Sequence, residues 1–235
     1  MSALGRAVLS ALLAVQAPPL RVTVGGGEVD GRRLAPGFAE FAVYRCGGKD
    51  AGRIGTLREQ LRLVTANADT AWRRITRSEV EGVVTMDTTV LERGTLAGRW
   101  SRGHIGSVTT GYDVYGSRVI WHAEGVGAGP QSYDSTFSEP AFLAGTEDLL
   151  LEAAARPWAP GATASLPLVD LAGGSQVYSL IRVEVPVRVT RGSGDTLVVM
   201  VGETRYTLSP RGRVTSWAAP LGRAECFRRF VRVTP

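Results

Sequence analysis

PAFLAGTEDLLLEAAARPW (residues 140–158) and, after a short interval, YSLIRVEVPVRVTR (residues 178–191) are the stretches whose reading decides the fold. The first carries the chain's one helical pattern. Phe142, Leu143, Leu149, Leu150 and Ala153 recur at i, i+1, i+7, i+8 and i+11, a single stripe on a helix. Ser138 can cap the first turn, and Pro140 fits there because its missing N–H has no helical partner to lose. Thr146 followed by Glu147 and Asp148 is a second start signal, so a break or restart at Gly145 stays open. Arg156 suits the negative end, and Pro157 and Pro160 stop the helix. The expected helix covers about residues 140–155.

The second stretch alternates. Ile181, Val183, Val185, Val187 and Val189 share one face, while Arg182, Glu184, Arg188 and Thr190 share the other. Pro186 removes one ladder donor, which predicts an edge or a bulge at that point.

Working outward, the same period of two recurs in short runs on both sides. Residues 38–45, 53–64, 70–77, 84–90, 96–100, 108–114, 119–123 and 131–137 precede the helix. Residues 164–171, 178–191, 196–201, 206–208, 214–218 and 226–233 follow it. Turn signals such as Gly47-Gly48-Lys49-Asp50, Gly192-Ser193-Gly194-Asp195 and Ser209-Pro210-Arg211-Gly212 separate the runs, as expected of an antiparallel meander. The predicted fold is mainly β (α+β). It is a curled antiparallel sheet or half-barrel, with the one helix packed against its concave side.

The organisation read from the chain is a signal-like segment at 1–17, a Gly-rich lead-in at 18–37 and a single β-rich domain at 38–235. MSALGRAVLSALLAVQA has Arg6 ahead of an apolar run too short to span a bilayer. Small residues fit cleavage after Ala17, but Pro18 disfavours it, which leaves a site nearer Ala14 or retention as an anchor. No cysteine follows the run to take a lipid. The expected location is therefore exported, periplasmic or extracellular, with no membrane span in the mature chain. The lead-in's Gly25-Gly26-Gly27 lacks the spacing of a phosphate loop and reads as a flexible connector.

The net charge is +5, and Lys49 is the only lysine. The arginines are scattered at alternate strand positions rather than clustered into the basic stripe interleaved with aromatics of a nucleic-acid protein, so a solvated face is expected and not a nucleic-acid partner. In an oxidising compartment Cys46 and Cys226 can pair. The enclosed loop would then contribute about 5 kcal/mol at most. The competing reading is two separate buried thiols.

A helix that leads through RPWAPG (residues 156–161) into long hairpins, together with MDTTVLERGTL (86–96) and YDSTFSEPAFLAGTEDLLLEAAARPWAPG (133–161), resembles a family of exported β-rich proteins catalogued as domain of unknown function 3108. The similar region covers about residues 38–218, with a departure at Trp158 and Ala159, where that family has a Leu-Pro-Leu type of turn. The resemblance implies a periplasmic sheet akin to lipoprotein-carrier half-barrels and brings no catalytic residues with it.

Candidate chemistry is sparse. No metal-ligand spacing, cofactor loop or nucleophile motif is present, so no metal and no cofactor are expected. His122 with Glu124 two positions on, or His104 in a turn, could serve acid–base work, which gives a hydrolase as the alternative. Trp72, Trp100, Trp121 and Trp217 lie in strand patterns and could line an apolar pocket for a small molecule or lipid. The leading expectation is a noncatalytic exported domain that binds an apolar ligand or meets an envelope protein partner. The remaining alternative is a purely structural or interaction domain.

Overall fold

A computed structural model describes residues 19–45, 52–66, 69–125, 129–173, 178–221 and 223–234. The expected signal segment and Cys46 lie outside them, as does the side chain of Cys226. Strand formation follows the period-two runs. The first meander comprises β2 (Gly37–Tyr44), β3 (Arg53–Ala66), β4 (Asp69–Val80), β5 (Val83–Glu92), β6 (Gly98–Ile105), β7 (Val108–Tyr115), β8 (Arg118–Glu124) and β9 (Gln131–Thr136). The second comprises β11 (Thr163–Gly173), β12 (Tyr178–Arg191), β13 (Leu197–Val201), β14 (Thr204–Leu208), β15 (Val214–Leu221) and β16 (Arg223–Arg232). Each strand pairs antiparallel with the next in its meander. Antiparallel pairing of β16 with β2, Phe230 opposite Val43, joins the two into one open, curled sheet.

Two further strands are only two residues long. Both β1 (Leu20–Arg21) and β10 (Phe142–Leu143) run parallel to β11 along its outer edge, opposite Ala164–Ser165 and Leu168–Val169 respectively. They satisfy backbone groups that would otherwise be unpaired there. At Pro186 the pairing of β12 with β13 stops, covering only residues 187–191, so the proline marks the start of an edge as its missing donor predicts.

The helix is shorter than the sequence pattern suggests. Helix α1 spans Glu147–Glu152, not residues 140–155. Phe142 and Leu143 instead form a strand paired with Leu168 and Val169 of β11, and both are buried there. Gly145 then takes φ +84°, a conformation that ends β10 and lets the helix begin after Thr146. Thr146 does not cap with its side chain; its hydroxyl donates to the Leu143 carbonyl at 2.7 Å.

Helix α1 lies on the concave face of the sheet. Leu149, Leu150 and Leu151 are all buried, so the helix is enclosed instead of half-wetted. The enclosure comes from the lead-in, which is no loose connector. Val22, Val29 and Leu34 are buried in the same cluster as the helix, Trp72, Leu91 and Leu166. The Asp30 amide donates to the Ala153 carbonyl at 2.9 Å, and the Ala155 amide to the Glu28 carbonyl at 2.8 Å. The helix's free C-terminal carbonyls are thereby partly met by the lead-in backbone. A second cluster joins the two ends of the sheet. Val119, Trp121 and Ala123 of β8 pack on Val169 of β11 and Leu180 of β12, and the Trp121, Tyr133 and Tyr178 rings lie 5.5–6.2 Å apart. Val187 and Val189 of β12 face the first cluster, and Leu180, at the other end of the strand and on its opposite face, belongs to the second.

Candidate functional site

The lead-in and the helix leave a cleft between them. Leu20, Val22, Val29, Leu150, Leu151 and Leu166 form its apolar walls around a volume of about 350 Å³. Trp158 closes one side, its indole N–H held by the Leu151 carbonyl at 3.1 Å. Glu28 and Arg156 supply the charge in its lining. This size and lining fall in the range of small-molecule sites. A shallower hollow continues past Leu20 and Trp158 toward Glu184 and Arg188.

Beneath the helix lies the main cluster of perturbed charges. Arg74 of β4 points inward and is 7 % exposed. Its Nε donates to Glu59 at 2.8 Å, its Nη1 to the Gly145 carbonyl at 2.7 Å and its Nη2 to Asp148 at 2.6 Å. One guanidinium thus ties the β3–β4 hairpin to the start of α1. Burial disfavours the charge on Arg74, yet Asp148 and Glu59 more than offset it and keep the group firmly protonated. The carboxylates outnumber the cation. Burial, reinforced by Glu59, Glu152 and Glu147, pushes Asp148 up to about 7 against the pull of Arg74. Burial likewise raises Glu147 and Glu152. Glu152 accepts from the Val214 amide at 2.8 Å and pairs with Arg213 at 3.3 Å.

These three shifts share a sign. The folded state binds protons that the unfolded chain releases between about pH 4 and 7, so stability is full below that window and falls as pH rises through it. A loss of roughly 2–4 kcal/mol between pH 4 and 8 is expected, at about 1.4 kcal/mol per pKa unit. Asp148→Asn should flatten the profile. Denaturant titrations of both proteins across this range check it, and parallel slopes would remove Asp148 as the source.

Beyond Arg74 the concave face is polar. Thr76, Asp87, Thr89, Ser101, Thr110 and Tyr112 line a trough of about 370 Å³ that ends against Ala144 and Gly145. Burial and nearby Asp170 push the Tyr112 hydroxyl up to about 12, so it stays a neutral donor.

The residues singled out from sequence fall elsewhere or apart. His122 is on the convex face, its Nδ1 3.6 Å from Asp113, which Arg102 already engages at 2.7 Å; Glu124 is not its partner. His104 shares a hydrogen bond with Thr109 at 3.1 Å, also on the convex face. Neither histidine enters the cleft or the trough. Trp72 is core, with its indole N–H on the Gly31 carbonyl at 2.8 Å. Trp121 sits in the second cluster, and Trp217 stacks on Phe230 at 4.6 Å and meets Phe41 edge-on. Trp100 is convex, under the Arg102 guanidinium. The four do not converge on one pocket. Trp158, in a Pro-rich turn and not in a strand, is the tryptophan that lines the cleft.

Fold and site define an open, curled antiparallel β-sheet with a strapped helix on its concave side and an apolar cleft under the strap. No protein-family model, curated protein or solved structure matches the chain. Among the described residues, no helix is long and apolar enough to cross a membrane.

Proposed function

We propose that this chain is an exported, noncatalytic domain that holds an apolar, acyl-like molecule in the cleft between the lead-in and α1. The cleft's volume and leucine–valine–tryptophan walls carry this reading. The signal-like first residues and the resemblance to exported half-barrel proteins favour a periplasmic or extracellular setting. Entry would pass Leu20, which is 52 % exposed.

Titration with a long-chain fatty acid should change tryptophan fluorescence, and Trp158→Phe should abolish most of that change. Ala154→Phe, which fills the cleft, and Leu20→Glu, which charges its mouth, should each weaken binding at least tenfold, about 1.4 kcal/mol or more. Unaltered binding in both variants, or a wild-type protein that takes up no fatty acid by fluorescence and native mass spectrometry, would overturn the reading.

A further inference from the structure

A different surface of the molecule has features that the cleft does not explain. On the convex face of β3 and β4, Arg58 stands directly opposite Arg77, and Arg62 directly opposite Arg73. Like charges so placed destabilise a sheet. Glu40 relieves Arg58 at 3.0 Å, and Arg62 reaches Gln60. Among the described residues, Arg73 and Arg77 have no carboxylate partner, and the Nε atoms of Arg62 and Arg73 are buried without an acceptor. The fold therefore holds a cluster of cations on one face with too few anions of its own.

The same face runs into an apolar end. Arg77 is opposite Met86, and Met86 is opposite His104. The β4–β5 hairpin turns at Glu81-Gly82, and the β6–β7 hairpin turns beside it at Gly106. Their tips expose Val83 by 53 %, Val84 by 42 %, Met86 by 46 % and Ile105 by 56 %. Among the described residues, the carboxylates at this end are Glu79, opposite Val84, Glu81, which Arg45 engages at 2.7 Å, and Glu124, opposite Thr109. Arg77 stands three residues behind Val80, about 10 Å at the strand rise.

We propose that this end of the sheet docks on an anionic lipid bilayer. Val83, Val84 and Ile105 at the tips enter the boundary between headgroups and acyl chains, and the convex face tilts down so that Met86 lies at the level of Arg77 while Arg77, Arg73 and Arg62 meet lipid phosphates. The depth matches that of interfacial elements, which bury apolar groups about 5–10 Å into this boundary. The tip side chains, together with Arg77 and His104, line one wide, open hollow between the two hairpins, and the arginines behind it that lack carboxylate partners among the described residues complement a layer of lipid phosphates. Electrostatic attraction supplies the remainder, at about fivefold in affinity for each arginine near the surface.

Vesicle flotation with the full chain tests the inference, using phosphatidylcholine alone and phosphatidylcholine with about one third phosphatidylglycerol. Binding to the anionic vesicles should exceed binding to neutral ones at least tenfold at low salt and fall at high salt. R73Q/R77Q should lose at least tenfold, as should V84N/I105N. All four positions are at least partly exposed, and circular dichroism verifies that both variants fold. Three outcomes overturn the inference. They are flotation of the wild type equally with both lipids or with neither; binding of the tip variant equal to that of the wild type, which would assign binding to another segment; and tight heparin binding with no dependence on the tips, which would mark a site for a soluble polyanion.

Discussion

Arg74→Ala is expected to destabilise the protein by about 3–5 kcal/mol at pH 8, because it leaves Glu59 and Asp148 buried without their cation. The loss should shrink toward pH 5, where the orphaned carboxylates can protonate and shed the cost of a buried charge. That pH dependence distinguishes lost charge compensation from lost packing, since a cavity costs about the same at either pH. Replacing the cluster together, Arg74→Met with Glu59→Leu and Asp148→Leu, should recover most of the loss. Urea titrations at the two pH values measure both effects. A cost under about 1 kcal/mol at pH 8 would mean that water reaches the cluster and that the arginine does not hold the helix to the sheet.

Trp72→Ala should cost a similar amount, about 3–5 kcal/mol, by opening a cavity where the largest fully buried side chain among the described residues now sits. The consequence should also be directional. The Trp72 indole holds the Gly31 carbonyl, and Gly31 in turn donates to the Gly94 carbonyl at 2.7 Å. These bonds fasten the lead-in over the helix. Hydrogen exchange at residues 20–34 should therefore accelerate more than exchange in β13 and β14, which lie across the sheet. Fatty-acid binding should weaken as well, since Val22 and Val29 form one wall of the cleft. Trp72→Phe should keep most of the packing and lose about 1–2 kcal/mol for the orphaned carbonyl. Uniform acceleration of exchange would show that the tryptophan supports the whole core and not the strap in particular.

Both predictions concern residues whose role depends on long-range placement, and the sequence is legible only up to that point. The strands of both meanders could be read from alternation, because a side-chain period of two is a property of each segment by itself. Turn residues then made neighbours of consecutive strands, which is enough for a curled antiparallel sheet. Residues 140–155 show where local reading stops. A stripe at helical spacing is real in the sequence, yet Phe142 and Leu143 join β11 because its free edge offers their backbone partners. Arg74 carries a signal that can be recognised afterwards: it occupies the inward phase shared with Trp72 and Thr76, where a charge is out of place.

Alternation and turn chemistry alone determined that this chain makes hairpins, roughly where each begins and ends, and that one helical segment interrupts them. Tertiary structure decided the rest. It paired the last strand with an early one, folded the glycine-rich lead-in over the helix, put both histidines on the outer face and gathered Glu59, Arg74 and Asp148 under the helix. The physical reason is range. Periodicity and turn preference act over a few residues, whereas burial, charge compensation and edge pairing depend on which distant segments the curled sheet brings within a few ångströms of each other.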